Sequence, residues 1–244
     1  MTVSDQVRRE YAPTGKLRVA LNHGNAVLVS RDAAGKPQGI SVDLARTLAQ
    51  ELDLDPVFVE FERAADVSGS ATDDLWDVCF LAVDPERART IFFTHPYIRI
   101  EGCYLVSART DVADAGEAVE RGLKIGAVRG SAYTLHLQRK PGADRLAIYP
   151  DLDEAPQALD GGEVDGLAGI RQAVEAMAAS RPGARVLEPP FMEIRQAMGM
   201  PMGRPNAAGH LSGFIAACAR NGTVGAILER HGVSAECAIV PDAA

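Results

Sequence analysis

Residues 76–106 read WDVCFLAVDPERARTIFFTHPYIRIEGCYLV, and this stretch decides the fold class. Positions 78–83 are apolar and predict a buried strand, Pro85 marks the start of a helical turn, and a second apolar strand follows Tyr97. This order places Arg87 just beyond the C-terminal end of a strand. Open α/β sheets bind ligands at that end of their strands, so the stretch predicts an α/β protein with a ligand-binding arginine.

Strand and helix patterns alternate on both sides of this stretch. Ser41 has the side chain of an N-cap and precedes a helix, whereas 62–75 has little apolar face and predicts a frayed helix or a loop. Alternation of this kind predicts mostly parallel sheets flanked by helices. Other predicted strands fall at 16–21, 56–61, 123–128 and 164–168, and two C-terminal helices at 207–220 and 224–230.

The composition is that of a globular protein with an acidic surface. The 244 residues carry a net charge of −8 and no dense Lys/Arg run, which argues against a nucleic-acid partner. No apolar run approaches the roughly 18 residues that a membrane helix needs, so membrane insertion is not expected. The histidines and cysteines have no metal-ligand spacing, so we expect no metal and no cofactor. The four scattered cysteines predict free, buried thiols.

The N-terminal segment MTVSDQVRREYAPTGK is polar and lacks the apolar core of a secretory signal. As written, the sequence therefore predicts a cytoplasmic protein, or a periplasmic one if a leader has been removed. Length and composition say little about assembly, for which we expect a monomer or a weak dimer.

Several motifs in a fixed order resemble the type II periplasmic solute-binding proteins, specifically the polar amino-acid family called family 3. The resemblance covers residues 15–231 and is carried by GISVDLAR at 39–46, WDV at 76–78, PERARTIFFTHPY at 85–97, KIGAVRGS at 124–131 and GEVDG at 162–166. It implies two α/β lobes joined by two hinge strands, with the ligand held between the lobes. Lobe one would comprise residues 1–107 and 198–244, and the inserted lobe two residues 108–197.

The resemblance also implies which groups hold the ligand carboxylate. In the family, an arginine at the position of Arg87 grips it, and a planar guanidinium suits a carboxylate because it donates two parallel hydrogen bonds. Backbone amides at the position of Gly130 and Ser131 grip the same carboxylate, which fits the anion preference of a helix start. The alternatives are a surface arginine paired with Asp84 or Glu86, and an ordinary turn capped by Ser131.

Other positions depart from the family pattern. Where amino-acid binders carry an aspartate for the ligand ammonium, this chain has Ile170, followed by the cation Arg171. Glu101 is a candidate replacement for that aspartate. The ligand-binding residues predicted from the sequence are Arg87, Ser131, Gly130, Ala82, Glu101, Asn25, Asn22, Arg171 and Ile170.

The predicted function is non-catalytic binding of a small carboxylate or amino-acid-like solute, with an ABC-transporter permease as a candidate partner. One alternative is an enzyme of the cyclohexadienyl or prephenate dehydratase type, for which Glu101 and Glu193 are the candidate acids. Another is a cytoplasmic ligand-sensing module. Fold alone does not decide among these functions.

Overall fold

The computed structural model describes residues 3–151 and 153–242. They form two compact units: unit 1 runs to Arg99 and resumes at Arg195, and unit 2 is the segment 100–194. The boundaries expected from the sequence were 107/108 and 197/198; residues 1, 2, 243 and 244 of the predicted lobe one lie outside the described residues. The chain crosses from unit 1 to unit 2 within one long strand, Ile98–Val106, and returns within another, Met192–Pro201.

Unit 1 is built on a sheet whose central strands are parallel. Its elements in chain order are α1 (Asp5–Tyr11), β1 (Leu17–Asn22), β2 (Ser30–Arg31), β3 (Pro37–Gln38), α2 (Ile40–Leu52), β4 (Pro56–Phe61), α3 (Ala64–Gly69), β5 (Val78–Ala82) and β6 (Ile91–Phe93), followed after the return by α8 (Pro205–Arg220) and α9 (Thr223–Arg230). Strand β1 pairs in parallel with β4 and with β5. The returning strand β12 (Met192–Pro201) pairs antiparallel with β5 and β6.

Unit 2 has a sheet of the same kind. Its elements are β7 (Ile98–Val106), α4 (Ala115–Glu120), β8 (Ile125–Val128), α5 (Ala132–Leu137), β9 (Leu146–Tyr149), α6 (Glu154–Gly161), β10 (Gly166–Ile170), α7 (Arg171–Ala179) and β11 (Arg185–Val186). Strand β8 pairs in parallel with β9 and β10, while β7 is antiparallel to β10 and β11. The predicted α/β class, with mostly parallel sheets flanked by helices, is confirmed.

Each unit has its own apolar core. In unit 1, Trp76 is fully buried against β5 and its indole N–H donates to the hydroxyl of Ser70 at 3.1 Å. Ser70 is the C-cap of the short helix α3. The segment 62–75, for which the sequence predicted a frayed helix or a loop, therefore contains one short helix. The unit 2 core is formed by Cys103, Leu105, Ala155, Ala158, Leu159, Val164, Leu167 and Val174.

The cysteines are free, as the sequence predicted, and Cys79, Cys103 and Cys218 are buried, whereas Cys237 is half-buried. Burial raises the pKa of the Cys103 and Cys218 thiols to about 11, so both stay protonated and unreactive at neutral pH. Among the described residues, no single helix has the length and apolar composition needed to cross a membrane. The bent pair Pro205–Arg220 and Thr223–Arg230 meets both criteria only when its two helices are taken together.

Helix α2 begins two residues earlier than an N-cap at Ser41 would require. Its N-cap is Gly39, with φ +124°, and Ser41 lies fully buried in the first turn. The Ser41 N–H donates to the carbonyl of Leu28 at 3.1 Å, so a loop carbonyl satisfies the helix start in place of a side-chain cap. The prediction of a Ser41 cap was wrong for this reason.

We expect Gly39→Ala to lower the free energy of unfolding by about 2 kcal/mol, because the backbone angle is one that only glycine adopts at low cost. A Cβ there would also stand 2.5 Å from the carbonyl oxygen of Leu28. The matched control is Gly35→Ala, since Gly35 also has a positive φ (+77°) but has nothing within 4 Å of the added methyl. The control should lose about 1 kcal/mol. Urea denaturation measures both, and equal losses would contradict the steric argument.

Candidate functional site

Arg87 lies directly after the C-terminal end of β5, where the sequence placed it. It opens a short 3₁₀ turn, Arg87–Arg89. The Asp84 carboxylate fixes this turn by accepting the N–H of Glu86 at 2.9 Å, and the Asp84 carbonyl accepts the N–H of Ala88 at 2.9 Å. The arginine is therefore positioned by a local turn at the end of a strand that runs parallel to β1.

The guanidinium of Arg87 is only 4% exposed, and its Nη1 donates to the carbonyl of Ala82 at 3.1 Å. Burial lowers the pKa of Arg87, and the nearby Asp84 partly offsets that effect by raising it. Arginine remains charged in proteins even when its pKa falls in this way. A buried cation gains strongly from an additional anion, because its attraction for a negative group is only weakly screened. The alternative of a surface arginine does not describe this side chain.

The strand before Arg87 supplies an apolar surround. Cys79, Phe80 and Ala82 are all buried, and Phe80 packs edge to face against Tyr97 with ring centroids 6.3 Å apart. Burial raises the pKa of the Cys79 thiol and of the Tyr97 hydroxyl, so both are neutral at physiological pH. The neighbours of Arg87 on this strand and at Tyr97 are therefore neutral, and Asp84 is a nearby carboxylate.

Asn22 is the last residue of β1, and Asn25 lies in the turn that follows it. The Asn22 side-chain oxygen accepts the N–H of Gly24 at 3.1 Å, and that of Asn25 accepts the N–H of Val27 at 3.3 Å. Both carboxamides are buried, 9% and 6% exposed. These bonds give both residues a turn-forming role. A ligand contact by either residue stays a prediction.

In unit 2, Gly130 and Ser131 follow the C-terminal end of β8 as expected. Gly130 has φ +68°, and Ser131 is the N-cap of α5. The Ser131 hydroxyl accepts the N–H of Thr134 at 3.2 Å and donates to the Thr134 hydroxyl at 2.8 Å, which in turn donates to the carbonyl of Val128 at 2.6 Å. Ser131 therefore caps the helix, and its role toward an anion stays a prediction.

Ile170 and Arg171 lie at the same edge of the unit 2 sheet as Gly130. The parallel register pairs Gly166 with Ile125 and Leu167 with Gly126, which brings the C-terminal ends of β10 and β8 together. Ile170 is the N-cap of α7 and Arg171 its first residue. The structure therefore gathers these predicted site residues of unit 2 at one sheet edge.

Arg171 is held by three carboxylates. Its Nη1 and Nη2 contact the two oxygens of Glu188 at 2.6 and 2.9 Å, Nη1 also reaches Glu175 at 3.3 Å, and Nε donates to Glu101. The pKa of Arg171 is raised, chiefly by Glu188, and Arg171 holds the pKa of Glu188 below its usual range. Glu101 and Arg171, two separate candidates in the sequence, are partners of one another here.

Sequence reasoning missed two carboxylates with clear roles. Asp84 appeared only as an alternative partner of Arg87, although the Asp-Pro-Glu order signals a side-chain-capped turn. Glu188 was not singled out, because its contact with Arg171 joins positions 17 residues apart and no local pattern announces it.

Together these features define a class of protein. In each α/β unit, parallel strands end at groups that are suited to an anion. These groups are the buried Arg87 in unit 1 and the turn at Gly130 in unit 2. Open α/β sheets bind ligands at such strand ends. Over residues 17–234 the chain matches the model of the bacterial extracellular solute-binding proteins, family 3, and it belongs to that family. The resemblance read from the sequence motifs is confirmed.

Solved structures share the fold at low sequence identity. The solute receptor for L-cysteine of Neisseria gonorrhoeae is 20% identical, with a TM-score of 0.79 over 98% of this chain and 100% of that one. A histidine kinase sensor domain with similarity to periplasmic binding proteins is 17% identical, with a TM-score of 0.77 over 93% and 98%. The ancestral amino-acid-binding protein AncCDT-1, a precursor of cyclohexadienyl dehydratase, is 20% identical, with a TM-score of 0.73 over 91% and 97%. At these identities the likeness shows the fold alone.

Proposed function

We propose that this protein binds a small carboxylate or amino-acid-like solute reversibly and releases it unchanged. Membership of the solute-binding family supports a solute ligand. The receptor for L-cysteine and the ancestral amino-acid-binding protein that share its fold suggest the size and chemistry of that ligand.

The observation that carries the proposal is the burial of Arg87 at the end of β5. A guanidinium that is 4% exposed has lost most of its water, and Asp84 is the carboxylate that acts on its pKa. A ligand carboxylate would add a second anion with bidentate geometry, which is the strongest hydrogen-bonded partner that an arginine accepts.

Unit 2 carries the position at which the family's ammonium-binding aspartate is replaced by Ile170. The carboxylates of Glu101 and Glu188 are both engaged by the adjacent Arg171. A ligand ammonium would have to compete with that guanidinium for either carboxylate. The candidate ligands therefore include carboxylates that lack an ammonium group as well as amino acids.

A thermal-shift screen tests the proposal directly. We expect at least one compound from a panel of amino acids, 2-oxo acids, 2-hydroxy acids and dicarboxylates to raise the melting temperature. A ligand at one hundred times its Kd adds about 2.7 kcal/mol of stability. For a chain of this size, that corresponds to a rise of about 5–10 °C. If no carboxylate or amino acid shifts the melt, the proposal fails.

Recovery of the ligand separates a binder from an enzyme. The binding compound is incubated with the protein and examined by mass spectrometry, and we expect it to return chemically unchanged. Prephenate belongs in the panel, because a dehydratase would convert it with loss of water and carbon dioxide. Conversion that disappears in Glu101→Gln would replace the binding proposal with an enzymatic one.

Delivery of the solute to an ABC-transporter permease is the role that we propose for the bound form. It requires the protein on the side of the membrane from which the permease takes its solute, and cell fractionation locates it. A strain that lacks the protein should take up the labelled solute more slowly. Unchanged uptake, with the protein found in the cytoplasm, would favour sensing instead.

A further inference from the structure

Three loops of unit 2 enclose a polar pocket of about 300 Å³ at the sheet edge opposite to Gly130. The register explains why they meet: Gly166 of β10 lies beside Ile125 of β8 and opposite Val106 of β7. The N-terminal ends of β8 and β10 and the C-terminal end of β7 therefore share one edge. We call this cavity the loop pocket; its lining includes Arg109, Thr110, Arg121, Gly122, Gly162 and Asp165.

The loop pocket is separate from the groups at Gly130. Gly122 precedes β8 and Gly130 follows it. A strand of four residues spans about 13 Å, so the two ends of β8 cannot serve one small ligand. A small ligand in the loop pocket is therefore not held by the groups at Gly130.

Hydrogen bonds from side chains to the backbone fix the three loops. Arg109 Nη2 donates to the carbonyls of Leu159 and Asp160, both at 3.0 Å, at the end of α6. The Thr110 hydroxyl donates to the Asp165 carbonyl at 2.9 Å, and an Asp165 carboxylate oxygen accepts the N–H of Lys124 at 2.7 Å. Because these bonds join the three loops to one another and to α6, ordering the loops around a ligand should cost little.

The charge at the loop pocket differs from that of the whole protein, which is −8. Arg109 lines the pocket, and its charge helps to lower the pKa of the Asp160 carboxyl. Arg121 donates to the carbonyl of Asp111 and pairs with Glu117 at 3.4 Å, but both side chains of that pair are exposed, so the pair is weak. The guanidinium of Arg145 lies over Gly122, and Arg185 donates to the carbonyls of Thr110 and Val112. The lining itself therefore carries two arginines and two carboxylates, and two more guanidinium groups lie beside it.

The carboxylates of the pocket decide which anion fits. Asp111 and Asp165 both belong to the lining and are both exposed, and one carboxylate oxygen of Asp165 accepts the N–H of Lys124. A fully deprotonated anion would be repelled by Asp165. Phosphate near neutral pH and the singly charged form of its monoesters keep an O–H that a carboxylate can accept, whereas sulfate and ordinary carboxylates at that pH do not.

We propose that the loop pocket binds a phosphate group, free or as a small monoester. Arg109 and Arg121 donate to its oxygens, and Asp165 accepts its O–H. The volume exceeds that of inorganic phosphate and leaves room for a small organic part. Glycerol 3-phosphate, tested beside inorganic phosphate, distinguishes the two sources of the same group.

The experiment follows the amide resonances of the full-length ¹⁵N-labelled protein at low ionic strength and pH 7. We expect inorganic phosphate to shift the amide resonances of Gly122 and Gly162 saturably. Sulfate at equal ionic strength should bind at least about tenfold more weakly, because it lacks the hydrogen bond to a charged group that the phosphate O–H makes. A saturable shift centred on the residues around Arg87 instead, lost in Arg87→Met, would assign the phosphate to the solute site and overturn the proposal. The absence of any saturable shift would also overturn it.

Two variants test the assigned roles. Arg109→Gln should raise the Kd for phosphate about tenfold. If Arg109→Gln does not fold, because Arg109 also bonds the end of α6, Arg121→Gln is measured in its place, since it leaves those bonds intact. Asp165→Asn should remove the preference for phosphate over sulfate, because the repulsion of sulfate disappears with the charge. Arg89→Gln, an exposed arginine of unit 1, is the matched control and should bind phosphate as the native protein does. A preference that survives in Asp165→Asn would contradict the role of that carboxylate.

Discussion

Asp77→Asn is expected to lower the free energy of unfolding by about 3–5 kcal/mol, the cost of removing one partner from a buried ion pair. Asp77 is fully buried at the start of β5. Its two oxygens accept from Arg18 Nε and Nη2, both at 2.9 Å, and one of them accepts from Arg204 Nη1 at 2.7 Å. The two arginine side chains are only 17% and 15% exposed, so the variant leaves two guanidinium groups poorly solvated without this anion.

Asp74→Asn is the matched control, because Asp74 contacts Arg18 at 2.7 Å while its own side chain is 70% exposed. Its backbone has φ +53°, which asparagine tolerates as well as aspartate does. We expect a loss below about 1 kcal/mol, as for other exposed pairs. Urea denaturation of both variants measures the difference. Equal losses would mean that burial does not set the strength of this network.

The structure explains why Asp77 could not be singled out from the sequence. Its partners lie 59 and 127 residues away, at the start of β1 and just before α8. The Trp-Asp-Val order marks a strand start but does not show which cations will meet the carboxylate. The pairing of Glu101 with Arg171 across 70 residues is of the same kind.

What the sequence does predict is local or periodic. Arg87 was placed correctly at a strand end, because a run of apolar residues, a proline and an arginine within a dozen positions define both the strand and the turn. The α/β class followed from the alternation of strands and helices along the chain. Hydrogen-bond partners, in contrast, depend on tertiary contacts. Ser41 shows this, since a carbonyl at Leu28 took the place of the predicted cap.

The same distinction applies to the predicted ligand contacts. Asn22, Asn25 and Ser131 were candidate ligand-binding residues, and the structure shows each one holding its own turn. A side-chain oxygen that already accepts a backbone amide has less capacity for a ligand. Among the candidates, Arg87 combines burial with a charge that favours an additional anion, and it therefore carries the second large prediction.

Arg87→Met should raise the Kd for the solute found in the thermal-shift screen by about 100-fold or more, since losing one partner of a buried charged pair costs 2–5 kcal/mol or more. Methionine keeps much of the side-chain length and removes the charge. The substitution also removes the cation beside the buried Asp84 and the hydrogen bond to the Ala82 carbonyl, so we expect some loss of folding stability. Binding is therefore measured at a temperature at which circular dichroism shows the variant to be folded, so that a raised Kd reports the ligand contact itself.

Two further variants make this test specific. Arg87→Lys keeps the charge but not the planar fork, so it should recover only part of the affinity and remain about tenfold weaker than the native protein. Arg89→Met changes an arginine two positions away that is 73% exposed and paired with Glu86, and it should bind within about twofold of the native protein. Isothermal titration calorimetry measures all three. If Arg87→Met binds as tightly as Arg89→Met, the guanidinium at the end of β5 serves the fold alone, and the solute carboxylate must be held by other groups.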